Sequence, residues 1–223
     1  MLRIVCLGDS ITYGYPYGPE TSWVALTEQK LNQYLATSRM GNLAQGTTSK
    51  QSATNPVVQM INRGVNGETL GEMRERFSRD VVTTPRPTHV IIMGGTNDAW
   101  WGWSSKESQK HLEAMVAEAK RHGIQPLVGV TIPICRKLVE REFAISQEEI
   151  QVMVDWLDSF REWLQRTSPA PLIDFYSALW DAGALDGRAE YFSDGGHPNR
   201  AGYAAMAEAA FRALSSLLVP PTY

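Results

Sequence analysis

The chain has 223 residues, of which 43% are hydrophobic and 20% are charged, and its formal net charge is -3. This length and balance predict one globular domain over residues 1–223 and argue against a disordered or membrane-spanning protein. Acidic and basic residues are interspersed, so the sequence offers no basic stripe for a nucleic acid.

The N-terminal segment and the cysteines indicate the compartment. The apolar stretch of residues 2–7 runs straight into Gly8-Asp9-Ser10, which makes it too short for a signal peptide and favours a strand. Cys6 and Cys135 are too few for a disulfide framework, so we expect two free thiols. The sequence therefore predicts a cytoplasmic location.

Short apolar runs alternate with helical patterns along the chain, which is typical of a parallel sheet with crossover helices. Strands are predicted over residues 2–7, 57–62, 89–93, 126–131 and 172–175. The interval 37–55 is different, because it is rich in polar residues and glycine and has hardly any large apolar side chain. We expect it to form a solvated surface loop, with a mobile lid or a subunit contact as the alternatives.

The spacing of apolar residues predicts long helices in the second half of the chain. Two of them place apolar residues at i, i+3, i+4 and i+7, namely Leu112, Met115, Val116 and Ala119, and then Ile150, Met153, Val154 and Leu157. Each also begins with a serine that is followed three residues later by a glutamate, which predicts a side-chain cap. These pairs are Ser104 with Glu107 and Ser146 with Glu149. A last helix is expected over residues 199–218, with Met206, Ala210, Phe211 and Leu214 buried.

Polar loops that contain glycine follow the first three predicted strands, and another precedes the last helix. In an open parallel sheet the ligand binds beyond the carboxyl ends of the strands, because the loops converge there and helix amino termini point at them. We therefore expect the functional residues in these loops, which cover residues 8–14, 64–69, 94–98 and 193–199.

Ser10 is the candidate nucleophile, since a serine at a strand-to-helix turn has the exposure that a nucleophile needs. The segment is not a phosphate-binding loop, because no Gly-Lys-Ser/Thr follows it. Nor is it the Gly-x-Ser-x-Gly elbow of the α/β-hydrolases, because Thr12 stands where the second glycine would be. A hydroxyl is a weak nucleophile at neutral pH, so Ser10 needs a base.

His197 is the candidate base. Asp194 precedes it by three residues, and the two glycines between them permit a tight bend. Asp194 can then bind Nδ1 of the ring and fix the tautomer, so that Nε2 faces Ser10. Taken alone, the pair also fits a loop histidine with a structural role that is hydrogen-bonded to a neighbouring aspartate. The other histidines have ordinary structural positions at a strand start, within a helix and at a helix end: His89, His111 and His122.

Acyl transfer also needs hydrogen-bond donors for the oxyanion that forms on the substrate carbonyl. The backbone amides of Ser10 and Gly67 and the side-chain amide of Asn97 can supply them. Together the polar loops assemble a site that could cleave an ester.

These segments resemble the motifs of the SGNH hydrolases, also called the GDSL family of esterases and lipases. The matching blocks are Gly8-Asp9-Ser10, Asn66-Gly67-Glu68-Thr69, Gly95-Thr96-Asn97-Asp98 and Asp194-Gly195-Gly196-His197, in this order over nearly the whole chain. Gly64 shares the second loop, but the family pattern places its donor glycine just before an acidic residue and a threonine, which selects Gly67.

The resemblance implies a single domain with a flavodoxin-like, three-layer αβα fold, in which helices cover both faces of a mostly parallel, five-stranded sheet. It implies Ser10 as nucleophile, His197 as base and Asp194 as its orienting partner, with Ser10, Gly67 and Asn97 as oxyanion donors. It also implies a carboxylic-ester hydrolase that acts on a small-molecule ester with no metal and no organic cofactor.

The substrate is less closely defined than the reaction. Trp100, Trp101 and Trp103 follow the Asn97 block, and we assign them to substrate binding together with Asp9. Tyr13, Tyr15 and Tyr17 follow the serine block. Such aromatic side chains could line a cleft for an acyl chain or an aryl group, stack on a sugar, or simply pack against the rim. A carbohydrate O-acetylesterase and a non-catalytic binding module on the same fold are the alternatives.

Overall fold

The computed structural model describes residues 2–44 and 58–217. Its main sheet is parallel throughout, with the strand order β2-β1-β3-β4-β5. The strands are β1 (Leu2–Gly8), β2 (Val58–Gly64), β3 (His89–Met93), β4 (Gln125–Gly129) and β5 (Leu172–Ile173). This sheet confirms the predicted fold class.

Helices follow the strands. They are α1 (Ser10–Tyr13), α2 (Trp23–Ala44), α3 (Leu70–Phe77), α4 (Thr96–Trp100), α5 (Ser105–Arg121), α6 (Arg136–Phe143), α7 (Gln147–Thr167), α8 (Phe175–Leu179) and α9 (Arg200–Ser215). A short antiparallel pair, β6 (Trp180–Asp181) and β7 (Asp186–Gly187), lies between α8 and α9. Within the described residues, none of the helices has the length and apolar character needed to cross a membrane.

The side chains of β1 show how the three layers are held together. Ile4 and Cys6 point into the core beneath α2 and α9, whereas Val5 and Leu7 point into the core beneath α3, α5 and α7. All of these side chains are fully buried. Because successive side chains of a strand point to opposite faces, an uninterrupted apolar run is what a strand covered on both faces requires.

Of the two side-chain caps predicted at helix starts, the structure contains one. Ser146 and Glu149 form the expected capping box, in which each side chain accepts a hydrogen bond from the other residue's amide. Ser104 precedes α5 but makes no side-chain cap, so that prediction is wrong. The carboxylate of Glu107 binds Lys110 at 2.6 Å instead, since the ammonium one turn further along offers it a charged partner.

The prediction of a loop over residues 37–55 is wrong for its first part, because α2 continues to Ala44. Once a helix is nucleated, each further residue adds a backbone hydrogen bond, so even a polar sequence can prolong it. Residues 45–55 lie outside the described residues, as do Val57 and Leu218 at the ends of a predicted strand and helix.

Other element ends shift by a few residues. β5 ends at Ile173 rather than at residue 175, because Asp174 accepts a hydrogen bond from the Ser177 amide and starts α8. The predicted strand 126–131 is observed as Gln125–Gly129. Phe211 in α9 is half-buried rather than buried. Cys6 and Cys135 are free, as predicted, and both are buried.

The ends of the central strands lie level with one another, and this places the candidate site. Gly8 at the end of β1 is in register with Gly64 of β2 and with Met93 of β3. The segments that carry Ser10, Gly67 and Asn97 therefore leave the sheet side by side.

Candidate active site

Ser10 is the first residue of α1, two residues beyond the end of β1. The preceding residue, Asp9, caps the helix by accepting a hydrogen bond from the Ile11 amide at 2.9 Å. Ser10 is 7% exposed, and its Oγ lies 3.0 Å from Nε2 of His197. The serine hydroxyl is thus directed at the histidine.

Asp194 holds His197 by its ring and by its backbone. The carboxylate lies 2.8 Å from Nδ1 and accepts the backbone amide of His197 at 2.7 Å and that of Gly196 at 2.9 Å. Ser193 closes the loop, because its amide and its hydroxyl both donate to the His197 carbonyl. With the proton on Nδ1 bound to the carboxylate, the lone pair of Nε2 is left for the Ser10 hydroxyl.

The surroundings of Asp194 favour the ionised form of its carboxyl group. Burial acts to raise the pKa of this carboxyl, but the hydrogen bond and charge interaction with His197 and the two backbone amides outweigh it, and the pKa is lowered. The carboxylate therefore stays ionised and can stabilise a positive charge on the imidazole. The Tyr15 ring packs against the ring of His197, with ring centroids 4.6 Å apart.

Asp9 lies beneath the site and is only 1% exposed. Burial raises the pKa of its carboxyl to about 6, against the opposing effect of the Ile11 amide and the His197 charge. The structure gives this side chain a capping contact, and its assignment to substrate binding stays a prediction.

The residues predicted as oxyanion donors lie on neighbouring segments. Gly67 has a φ of +82° and lies in an exposed turn, and its amide hydrogen has no acceptor among the described residues. Asn97 lies near the start of α4, where Nδ2 donates to the Glu68 carbonyl at 2.8 Å. A side-chain amide has two hydrogens, so one remains for another acceptor. The Ser10 amide lies in the first turn of α1, where the helix supplies no acceptor.

The tryptophans separate into two environments. Trp101 and Trp103 are 66% and 62% exposed and line a cleft of about 940 Å³ that begins at Gly67. Trp100 packs its ring against Phe143, with centroids 4.8 Å apart, and is not among the described residues that line this cleft. The structure therefore brings two of the three predicted tryptophans to the side of the site where Gly67 lies.

Sequence reasoning missed Arg76, a buried charged residue of α3 that binds Glu68. A sequence signal was present, because Leu70, Met73 and Phe77 are the apolar positions on the buried side of this short helix and Arg76 falls on the same side. A charge at a core position calls for partners.

Among the described residues, no group of three or more histidine, cysteine, aspartate or glutamate side chains is placed to hold a metal ion.

The three-layer αβα arrangement, with polar loops at the carboxyl ends of the strands, defines an SGNH-type hydrolase fold. The chain belongs to the GDSL-like lipase/acylhydrolase family, whose model matches residues 6–205. This confirms the resemblance seen in the sequence and places the chain in a family of hydrolases of the esterase and lipase type.

Solved structures share the fold over nearly the whole chain. A proposed lipolytic protein of the G-D-S-L family from Desulfitobacterium hafniense DCB-2 is 25% identical, with a TM-score of 0.71 over 95% of this chain and 99% of that one. The lipase/acylhydrolase from Enterococcus faecalis is 23% identical, with a TM-score of 0.67 over 100% of both chains, and shows the shared fold.

A curated relative from Bacillus subtilis (strain 168), the uncharacterized lipoprotein YqeF, is 29% identical over 140 residues. The match takes in 59% of this chain and 49% of the relative, so the chain spans about half the length of that protein.

Proposed function

We propose that this protein is a serine-dependent carboxylic-ester hydrolase that works through an acyl-enzyme. Ser10 is the nucleophile, His197 the general base and Asp194 the carboxylate that orients it. The observation that carries the proposal is the continuous hydrogen-bonded series from Ser10 Oγ through the His197 ring to Asp194, with distances of 3.0 and 2.8 Å.

The first half of the reaction forms the acyl-enzyme. Nε2 of His197 takes the proton from Ser10 Oγ as the oxygen attacks the ester carbonyl carbon, and the carbonyl oxygen becomes an oxyanion. The imidazolium that forms is stabilised by the ionised Asp194, and it returns the proton to the alcohol oxygen as the ester bond breaks. A water molecule activated by the same His197 then hydrolyses the acyl-serine.

The oxyanion needs donors that are already in place when the charge forms. The free Gly67 amide, the second hydrogen of the Asn97 side-chain amide and the Ser10 amide supply them. The exposed turn at Gly67 favours this role, because a methyl group at its Cα would meet no atom of the described residues within 4 Å. A substrate carbonyl can therefore approach the peptide backbone closely.

The test uses p-nitrophenyl acetate and a fluorophosphonate probe. We expect the wild-type protein to hydrolyse the ester and to be labelled by the probe at Ser10, as located by mass spectrometry, and the Ser10→Ala protein to do neither. Activity should persist in EDTA. A protein that neither turns over the ester nor reacts with the probe would instead be the non-catalytic binding module, and inactivation by EDTA with recovery on metal addition would point to metal-activated water.

The cleft beside Gly67 favours a second candidate, a carbohydrate O-acetylesterase. Two indole rings with most of their surface exposed offer faces on which a sugar can stack. The remaining lining is rich in charged side chains, among them Glu72, Arg74 and Glu107. Sugar hydroxyls can hydrogen-bond to these groups while the apolar face of the sugar ring stacks on an indole.

A panel of esters separates the two candidates. Acetylated xylose and p-nitrophenyl acetate share the acyl group and differ in the alcohol, and p-nitrophenyl decanoate tests a long acyl chain. For the sugar ester, Trp101→Ala and Trp103→Ala should raise KM about 2- to 12-fold, the equivalent of roughly 0.5–1.5 kcal/mol per aromatic contact.

The control for this panel is Trp100→Phe, which keeps a ring against Phe143 and should leave KM for the sugar ester unchanged. A decanoate ester that is turned over faster than both acetates would discard the sugar candidate and leave the ester hydrolase in place.

The cytoplasmic location expected from the sequence stays a prediction.

A further inference from the structure

Arg76 is a buried cation at the centre of a network outside the Ser10–His197–Asp194 series. It is 7% exposed and lies in α3. Its guanidinium binds Glu68 through Nε at 2.9 and 2.6 Å and through Nη2 at 2.5 Å, and it binds Asp80 through Nη1 at 2.8 Å. Nη2 also donates to the carbonyls of Gly8 at 3.1 Å and Arg63 at 3.0 Å.

Three of these partners flank the groups proposed to hold the oxyanion. Gly8 ends β1 two residues before Ser10, Arg63 lies near the end of β2, and Glu68 directly follows Gly67. The segment from Arg63 to Glu68, which carries Gly67, is thus bound at both ends by one guanidinium. That same guanidinium is bound to the last residue of the strand that leads to the nucleophile.

Glu68 also joins the third donor to this network. Its side chain is held by Arg76 while its carbonyl accepts the hydrogen bond from Asn97 Nδ2. The Gly67 amide itself is bound to nothing in the described part of the chain. Its position relative to Ser10 therefore depends on how the residues on either side of it are held.

Resting on the function proposed above, we propose that Arg76 is a positioning residue for the oxyanion hole, which fixes the Gly67 amide relative to Ser10. The geometry requires arginine rather than a cation in general. A guanidinium presents five donors in a rigid, planar fork, which here reach two carboxylates and two carbonyls. A lysine ammonium has three donors on one atom and cannot reach all four partners at once.

The test is Arg76→Lys, measured by steady-state kinetics and by inhibition with a phenylboronic acid, which forms a tetrahedral adduct on a nucleophilic serine. A small displacement of a transition-state donor can cost up to about 100-fold in rate. We expect kcat to fall about 10- to 100-fold with KM little changed and the boronic acid to bind more weakly by a similar factor. The pH profile of kcat/KM should keep its shape, because the contacts of His197 are untouched.

Asp80→Asn is the matched control. Asp80 binds the same guanidinium from the turn that follows α3, and asparagine keeps an acceptor oxygen there. This variant should lose stability but keep kcat. A purely structural Arg76 would make the two variants alike, with lowered melting temperatures, unchanged kcat and unchanged boronic acid affinity, and that result would overturn the proposal.

Glu68→Gln provides a second test of the proposal if the Arg76→Lys protein does not fold. It keeps the backbone carbonyl that Asn97 uses and weakens only the contact with Arg76, so it should lower kcat in the same direction with KM unchanged. A Glu68→Gln protein with wild-type kcat would also overturn the proposal. A wild-type protein without esterase activity or probe labelling at Ser10 would fail at the proposed function itself, before any of these variants is compared.

Discussion

The loop of residues 193–197 brings His197 to Ser10, and the turn of residues 65–68 follows the strand beside the one that leads to Ser10, but different kinds of contact hold them. In the first, Asp194 and Ser193 bind residues no more than four positions along the chain, and the Cys135 amide adds one long-range bond to the Gly195 carbonyl. In the second, the turn is held mostly by contacts with Gly8, Arg76 and Asn97, which belong to other elements. One side of the site is organised mainly by local contacts and the other mainly by the assembled fold.

This difference affects how substitutions should act. A change in the local loop removes a reacting group or its immediate partner, so its effect should fall on chemistry. The turn of residues 65–68 and its partners form the distributed side of the site. A change there disturbs a network that also joins α3, α4 and the sheet, so stability and rate should change together. Networks of this kind are usually worth more than the sum of their pairs.

The largest expected effect is that of Ser10→Ala on the locally organised side. Removing the nucleophile of such a triad typically costs about 10⁴- to 10⁶-fold in rate. The fold should persist, because among the described residues the lost hydroxyl bonds only His197. Turnover of p-nitrophenyl acetate and the melting temperature are the measurements.

Thr12→Val is the control for Ser10→Ala. It removes a buried hydroxyl of the same short helix that has no hydrogen-bond partner in the described part of the chain, and it should keep full activity. Comparable turnover in carefully purified wild-type and Ser10→Ala proteins would remove Ser10 from the mechanism.

The second largest effect is expected for Asn97→Ala on the distributed side. Loss of an oxyanion donor should lower kcat by about 10²- to 10³-fold, or roughly 2.7–4 kcal/mol, with little change in KM. The bond to the Glu68 carbonyl is lost as well, so the free energy of unfolding should fall by about 1 kcal/mol. Kinetics and urea denaturation measure the two effects separately.

Asn32→Ala is the matched control for Asn97→Ala, because Asn32 joins α2 to the start of β2 by the same kind of bond, 2.9 Å to the Val58 carbonyl. It should lose stability and keep kcat. If Asn97→Ala behaves in the same way, Asn97 only braces the turn.

The same contrast explains what could be predicted from the sequence. The central strands β1 and β3 are buried on both faces and so appear as continuous apolar runs, and Asp194 stands three residues before His197 where local geometry joins them. The bonds of Arg76 span up to 68 positions, and no periodicity records such a contact. The continuation of α2 to Ala44 was missed because its last residues lack the apolar spacing by which a helix is recognised.

Asp9 lies between the two sides, and its charge interacts with His197 on one and with Asp98 on the other. Burial raises the pKa of its carboxyl from 3.8 to about 6 in the folded protein. The folded state therefore binds the proton more tightly, and stability is lost as the pH rises from about 4 to above 6.

Asp9→Asn should remove this loss, since asparagine does not ionise and keeps an oxygen for the Ile11 amide. From pH 4 to pH 7 its free energy of unfolding relative to wild type should rise by up to about 3 kcal/mol. This figure is the Asp9 pKa shift of about two units multiplied by 1.36 kcal/mol per unit. Denaturation midpoints over this range provide the measurement. Parallel pH profiles for the two proteins would show that Asp9 does not titrate in this way.

The smallest expected effect is a difference between two glycines, one from each side. Gly67 and Gly195 both have positive φ values, +82° and +93°, so alanine at either position should cost about 1–2 kcal/mol of backbone strain. A Cβ at Gly67 would meet none of the described atoms within 4 Å, whereas one at Gly195 would lie 2.5 Å from the Val139 nitrogen and 2.7 Å from the Cys135 oxygen. Such overlap with backbone atoms adds about 1–3 kcal/mol, because the loop or α6 must move.

Urea denaturation of Gly67→Ala and Gly195→Ala should therefore show the larger loss in Gly195→Ala, by that added amount. The Gly195 loop leads to His197, so Gly195→Ala should also slow turnover of p-nitrophenyl acetate through displacement of the base. Equal losses of stability in the two variants would mean that the loop of residues 193–197 yields as easily as the exposed turn at Gly67. Local hydrogen bonds would then not be enough to make that side of the site rigid.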